Sequence, residues 1–255
     1  MAAAGKSIVV TGAGSGIGAA TAKRFAADGY AVTLNGRTES KLKSVAAEIG
    51  SDDHVHIAPG DVSKPDDCKR IIAAHVQRFG GLDVLVNNAG VAVGGQIDQV
   101  AFDDWRKVMS INVDGVFLMI HEAVPHIEKT GGSIVNVSSV SGLGGDWGMS
   151  PYNATKGAVT NFTRALALDF GSRGMRINAV APSLVETDMT EDMVKDDELV
   201  AKFADRIPIG RYAQPDEVAD VIAFLASHDA RFVNGVILPV DGGVTAANGQ
   251  PNFSA

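Results

Sequence analysis

The sequence predicts an α/β fold, a single doubly wound domain whose seven-stranded parallel sheet is covered by helices on both faces. Three observations carry this. Short apolar runs alternate with longer stretches of helical period along the whole 255 residues, the pattern that strand–helix–strand units produce. The run at residues 82–86 is short and almost wholly apolar, as suits a strand buried on both faces of a parallel sheet. A glycine-rich turn lies between the first strand and the first helix.

Residues 7–11 read as the first strand and 16–28 as the first helix. The second strand covers 31–35 and is followed by a helix near 38–49. The third strand is 54–58. Ser63 is the expected N-cap of the next helix, with Pro65, Asp66 and Asp67 in its first turn and Phe79 at its end. After the strand at 82–86 a long helical stretch covers 102–127, and 133–137 is the fifth strand. Ser150-Pro151 opens a helix to about 170, 176–180 is the sixth strand, Pro215 opens a helix ending near 226, and 236–240 is the last strand. No linker, repeat or low-complexity tract interrupts the alternation, so residues 1–255 are expected to form one domain. The charged segment 186–206 is weakly ordered by pattern and follows a strand, where a substrate lid would sit. The polar tail 244–255 is expected to pack late or against a partner subunit.

Composition limits the function classes. Hydrophobic residues make up 45% and charged residues 20%, an ordinary globular balance, and the net charge of -8 offers no attraction to nucleic acid or an anionic membrane. Cys68 is the only cysteine, so no intrachain disulfide can form. It lies in a polar helical stretch and reads as an incidental thiol suited to a reducing compartment. The N-terminal region shows no signal-peptide pattern and the chain has no apolar run of the ~18 residues that a membrane span needs, so a cytoplasmic location is expected. No metal site is expected.

The turn at residues 11–18 reads Thr-Gly-Ala-Gly-Ser-Gly-Ile-Gly. Gly12, Ser15, Gly16, Ile17 and Gly18 would let the backbone approach a pyrophosphate, and the helix N-terminus would supply free N–H groups and a favourable dipole. Gly18 would bring the helix close to the sheet. NAD sites of this Rossmann type place a carboxylate at the end of the second strand to hold the ribose hydroxyl. Here residues 34–38 read Leu-Asn-Gly-Arg-Thr, with no acid at the strand end. Arg37 suits the 2′-phosphate of NADP, a charge-assisted contact, and NADP(H) is the expected cofactor. The alternative is NAD(H), with Glu39 or Asn35 on the ribose. Asp61 and Val62 follow the third strand, where Asp61 would accept from the adenine amino group. Asn88 and Gly90 follow the fourth strand at the same edge.

Tyr152 and Lys156 lie four apart in the first turns of one helix and share a face. An ammonium and a helix N-terminus both favour the phenolate, which is expected to bring the tyrosine from its ordinary pKa of ~10 toward the range of general acid–base work. Ser138 and Ser139 end the fifth strand, where a hydroxyl can orient a substrate oxygen. Asn112 lies within an otherwise apolar helix; its buried amide needs partners and could also hold a water beside Lys156.

In their order and spacing these motifs resemble the short-chain dehydrogenase/reductase family over nearly the full chain. The resemblance implies a catalytic set of Asn112, Ser139, Tyr152 and Lys156, the serine–tyrosine gap selecting Ser139 over Ser138. Tyr152 would be the acid–base residue, Lys156 would hold the nicotinamide ribose, and Asn112 would support a proton-relay water. Pro182, Val185 and Thr187 match a motif that flanks the nicotinamide amide, with Ser183 where glycine is usual. A basic residue at the Arg37 position is common in members that prefer NADP. Some also carry one inside the glycine turn, where this chain has Ser15. Family members are usually tetramers, so a homotetramer is implied.

Residues 139–148, the stretch at 182–185 and the tail residues 248–251 are similar to the branch that contains meso-2,3-butanediol dehydrogenase and acetoin (diacetyl) reductase. That implies a small diketone or hydroxyketone substrate, with Trp147 and Ser139 beside it. Members of that branch often use NAD, so Arg37 argues against simple transfer. A 3-oxoacyl-(acyl-carrier-protein) reductase is the alternative, disfavoured by the overall acidity. A non-catalytic dinucleotide sensor on the same fold is the alternative of a different class.

Overall fold

A computed structural model of the protein describes residues 5–50 and 53–250. Seven strands form one sheet: β1 (Ser7–Val10), β2 (Ala31–Gly36), β3 (Val55–Pro59), β4 (Val84–Asn87), β5 (Ser133–Val137), β6 (Arg176–Pro182) and β7 (Ile237–Val240). Their order is β3-β2-β1-β4-β5-β6-β7 and every pairing is parallel. The order reverses between β1 and β4, so the loops after those strands diverge and leave a crevice at the carboxyl edge, where ligands of open α/β sheets bind.

Side chains alternate across the sheet and feed two cores. On one face Ile8 and Val10 pack with α1 (Gly16–Ala27), α2 (Glu39–Ile49) and α9 (Pro215–Ala226), through Phe25, Leu42 and Ile222. On the other, Val9 and Leu85 pack with α3 (Pro65–Phe79), α5 (Gly115–Thr130) and α6 (Ser150–Gly171), through Ile71, Met119 and Val159. Burial on both faces explains why the strands carry runs of branched residues rather than a polar alternation.

His75 on α3 is fully buried and ties that helix to the sheet. Its Nδ1 lies 2.7 Å from the Thr33 hydroxyl and its Nε2 lies 3.0 Å from the Ser7 hydroxyl. Ser7 donates its own proton to the Gly81 carbonyl at 2.9 Å, so Nε2 carries the proton and Nδ1 accepts from Thr33. Burial pulls the His75 pKa down to about 4 and keeps the ring neutral.

Three local expectations need correction. The N-cap of α3 is Lys64, in extended conformation, and not Ser63. Ser63 instead donates its backbone and hydroxyl protons to the Asp61 carboxylate at 2.9 and 2.7 Å. The long helix expected over 102–127 is two helices, α4 (Phe102–Met109) and α5, joined by a π turn at Ser110–Asp114. The segment 186–206 is folded: a 3₁₀ turn at Asp188–Thr190 leads into α7 (Glu191–Val194) and α8 (Asp197–Arg206). Of the tail, residues 244–246 form a 3₁₀ turn, while residues 251–255 lie outside the described residues. Among the described residues no helix is long and apolar enough to cross a membrane.

Candidate active site

The glycine turn is shaped by its second and third glycines of consequence. Gly16 has φ +52°, a left-handed conformation that favours glycine, and a Cβ there would sit 2.9 Å from the Thr187 methyl. Gly18 would place a Cβ 2.2 Å from the Gly12 carbonyl oxygen and 2.5 Å from the Asn88 amide, so only glycine lets α1 start this close to β1. The Thr11 hydroxyl fastens the turn to the loop after β4: it accepts from the N–H groups of Asn88 and Ala89, both at 3.0 Å, and donates to the Val86 carbonyl at 3.3 Å. The Asn88 amide donates to the carbonyls of Thr11 and Gly12 at 3.0 and 3.2 Å. Ser15, ahead of α1, forms no side-chain cap, so the helix begins with free N–H groups beside the crevice.

A cavity of about 280 Å³ opens over this turn. It is lined by Gly12, Ser15, Gly16 and Ile17 of the turn, by Asn88 and Gly90 after β4, by Pro182, Val185 and Thr187 from the end of β6 onward, and by Ser139, Tyr152 and Lys156. A second cavity of about 130 Å³ continues along the same strand ends, lined by Arg37, Asp61 and Val62 together with Gly12 and Gly90. The two cavities share Gly12, Ala89 and Gly90 in their linings and so adjoin, with Arg37 on the smaller and Tyr152 and Lys156 on the larger.

The arginine end is electrostatically open. Glu39 pairs with Lys43 at 2.8 Å and Lys41 with Asp188 at 2.6 Å, while among the described residues Arg37 forms no ion pair. Asn35 is fully buried, and its amide donates to the carbonyls of Ala58 and Gly60 at 3.0 and 3.3 Å, so it has no donor left for a ribose. One Asp61 oxygen is held by Ser63 and the Asp61 N–H donates to Asp67 at 2.8 Å, leaving the other oxygen for a ligand.

At the other end the two serines after β5 have separate partners. The Ser138 hydroxyl contacts Thr160 at 2.7 Å and the Lys156 carbonyl at 3.2 Å, which anchors β5 to α6. The Ser139 hydroxyl turns toward Ser141 at 3.0 Å. Lys156 is buried and its ammonium donates to the Val137 carbonyl at 2.8 Å, 5.5 Å from the centre of the Tyr152 ring. Burial lowers the Lys156 pKa to about 8. The Tyr152 pKa is raised above its ordinary value, by burial first and by the Asp146 carboxylate in addition; the Ser139 proton, when turned toward the phenol, acts against both. The downward shift expected from Lys156 and the helix N-terminus is not what prevails: burial, which penalises the phenolate, sets the direction.

Asn112 sits in the π turn and not in a regular helix. Its carboxamide oxygen accepts from the Val91 N–H at 2.9 Å, and its amide donates to the Val91 carbonyl at 2.9 Å and to the Thr155 hydroxyl at 3.1 Å. Both side-chain protons are thereby used, and the amide pins the loop after β4 against α6. π turns inside helices are frequent at functional sites, yet the local sequence gives no sign of this one.

Gly18, Asn112 and Trp147 line neither cavity; Trp147 is 97% exposed on the loop before α6. Met189, Asp188 and Thr190 line the main cavity from the segment after β6. The sequence reached them only as part of the 186–206 segment expected as a lid, not as individual residues. Cys68 is buried and donates to the Val62 carbonyl at 3.1 Å, and burial pushes its pKa up to about 12, so it is an unreactive thiol.

A family model described as enoyl-(acyl carrier protein) reductase matches residues 12–245. The chain is 49% identical over 250 residues to meso-2,3-butanediol dehydrogenase of Serratia marcescens, covering 97% of this chain and 98% of that protein. It is 39% identical to a 3-oxoacyl-(acyl-carrier-protein) reductase of Thermotoga maritima, covering 94% and 98%. Among solved structures, levodione reductase matches with a TM-score of 0.92 at 35% identity, covering 96% of this chain and 99% of that one. A 3-ketoacyl-(acyl-carrier-protein) reductase from Brucella melitensis, complexed with NADH, matches with a TM-score of 0.88 at 36% identity, covering 95% and 99%.

Proposed function

The chain belongs to the short-chain dehydrogenase/reductase family, oxidoreductases acting on CH–OH and C=O groups, and on that premise we propose that it is an NADP(H)-dependent reductase of a small diketone or hydroxyketone such as diacetyl or acetoin. The observation that carries the cofactor assignment is Arg37: a cation with no ion pair among the described residues, lining the cavity that also holds Asp61 and Val62. The substrate class is supported by the 49% identity to meso-2,3-butanediol dehydrogenase.

The turn fits a dinucleotide because it is too closely packed for side chains at Gly16 or Gly18, which would meet the Thr187 methyl and the Gly12 carbonyl, and this packing brings the N-terminus of α1 up to the cavity, as a pyrophosphate requires. Gly12, Ser15, Gly16 and Ile17 would hold the pyrophosphate, with Gly18 keeping α1 close to β1, Arg37 would hold the 2′-phosphate, and Asp61 and Val62 the adenine. Asn88 and Gly90 would line the middle of the dinucleotide, and Pro182, Val185 and Thr187 would flank the nicotinamide amide. The cofactor, when bound, supplies or accepts a hydride.

Tyr152 exchanges a proton with the substrate oxygen. Its raised pKa keeps the phenol protonated at neutral pH, the form that donates to a carbonyl oxygen. Ser139 holds that oxygen in place. Lys156, buried beside Tyr152, holds the nicotinamide ribose, and its positive charge stabilises the phenolate after proton transfer. Asn112 fixes the loop after β4 against α6 and supports a water behind Lys156. Residues 186–206 act as the substrate lid, with the Lys41–Asp188 pair fastening its first turn to α2.

A homotetramer is part of the proposal: Phe117, Leu168 and Phe232 are exposed apolar side chains, the last fully so, around α5, α6 and the approach to β7. A cytoplasmic location and one domain over residues 1–255 complete it, with no nucleic-acid or membrane partner. The test is the initial rate of NADPH and NADH oxidation with diacetyl, in parallel. Faster NADPH turnover is expected. Faster NADH turnover overturns the cofactor assignment, and turnover only with 3-oxoacyl thioesters moves the substrate to the acyl-carrier class.

A further inference from the structure

Ser139 stands at one end of a line of three polar side chains. The Ser141 hydroxyl donates to the Asp146 carboxylate. The Ser139 hydroxyl lies 3.0 Å from the Ser141 oxygen, and the Ser141 N–H donates back to the Ser139 oxygen at 3.2 Å. Ser139 and Ser141 are buried, while Asp146 sits on the exposed loop before α6, where its backbone carbonyl accepts from the Asn153 amide at 3.1 Å. The line therefore runs from the lining of the cavity to the surface.

Proton counting fixes its direction. A serine hydroxyl has one proton, and an ionised carboxylate can only accept. The Ser141 proton is spent on Asp146, so toward Ser139 the Ser141 oxygen can act only as acceptor. The Ser139 proton is then spent on Ser141, with the Pro182 carbonyl at 3.4 Å as a longer second acceptor. One Ser139 lone pair accepts from the Ser141 N–H, so what remains for the cavity is the second lone pair.

We propose that Ser141 and Asp146 are positioning residues that orient Ser139, so that in the free protein its remaining lone pair and not its proton faces Tyr152. This rests on the assignment of Ser139 and Tyr152 above. The line keeps the phenol as donor, ready to deliver its proton to a carbonyl oxygen. An entering carbonyl competes with Ser141 for the Ser139 proton. The charged groups that face the phenol are Lys156 on its own helix, Asp146 on the loop before that helix, and Asp188, which lines the same cavity from the segment after β6.

The test is the titration of Tyr152 in the full chain without cofactor, followed by tyrosinate absorbance, with the spectrum of Tyr152→Phe subtracted to remove Tyr30 and Tyr212. Ser141→Ala changes no charge but frees the Ser139 proton to turn toward the phenolate. The titration midpoint should fall by about half to one pH unit, the worth of one neutral hydrogen bond. Asp146→Asn and Asp146→Ala both remove the charge, but only the asparagine keeps an acceptor for Ser141. The alanine variant should therefore titrate lower than the asparagine variant. These surface variants keep the test decisive where Ser141→Ala fails to fold. An unmoved midpoint in Ser141→Ala, or coincident midpoints in the two Asp146 variants, overturns the proposal. A Tyr152→Phe variant that keeps wild-type turnover of diacetyl overturns the assignment beneath it instead, so the two failures are distinct.

Discussion

Arg37→Ala should separate the two cofactors. In the structure Arg37 is exposed, lines the smaller cavity and has no ion pair among the described residues, so no existing pair must break before it meets a phosphate. Two unit charges 4 Å apart are worth about 1 kcal/mol in water and about 4 kcal/mol at the dielectric typical of a protein surface. An exposed guanidinium in a shallow groove lies toward the lower end, at about 2 kcal/mol for the 2′-phosphate. That is roughly a 30-fold loss of affinity for NADPH. NADH lacks the phosphate and should bind the variant within about twofold of wild type by the same argument. The difference should shrink as salt is raised, because the contact is solvent-exposed. Fluorescence titration of both cofactors against wild type and variant, at low and high salt, measures all of this. Equal weakening of NADPH and NADH, or no change in either, would refute the argument, since both outcomes mean that Arg37 does not meet the 2′-phosphate.

Two other consequences follow from particular side chains. Gly18→Ala forces a methyl to 2.2 Å from the Gly12 carbonyl; the overpacking should cost about 1–3 kcal/mol, lower Tm by roughly 2–12 °C, and weaken both cofactors equally, which a thermal melt and the same titration will read. His75 gives stability a pH dependence: its folded pKa of about 4 lies below the ordinary 6.5, so the unfolded chain binds a proton first. Stability from this residue is complete above pH ~6.5 and is lost as pH falls toward ~4, by about 2 kcal/mol at pH 5. Urea unfolding at pH 7 and pH 5, in wild type and His75→Gln, isolates it; a wild-type loss that persists unchanged in the variant would assign the effect elsewhere.

The architecture was legible because it rests on local pattern. Branched apolar runs marked all seven strands to within a residue or two, and the glycine turn identified the strand–helix junction over which the larger cavity opens. Tyr152 and Lys156 stood out by their spacing and Ser139 by the family resemblance, and all three line that cavity. What the sequence did not reveal depends on contacts between distant segments. The π turn at Ser110–Asp114 holds Asn112 against Val91 and Thr155, partners 21 and 43 residues away. Ser63 looked like a cap by composition, yet Asp61 two residues earlier captures its hydroxyl. The upward shift of Tyr152 comes from burial by the whole fold, which no motif encodes. The Ser139–Ser141–Asp146 line combines a turn with a loop, and hydrogen-bond direction along it emerges only once all three positions are known.

In the proposed reaction Tyr152, half-buried in the lining of the larger cavity, moves the proton that accompanies hydride transfer. The most direct test measures turnover and cofactor binding side by side in Tyr152→Phe. In that variant kcat should fall by about 10²–10⁴-fold, the usual worth of a positioned acid–base group, while NADPH binds within about twofold of wild type. A variant that turns over at the wild-type rate would contradict that role for Tyr152.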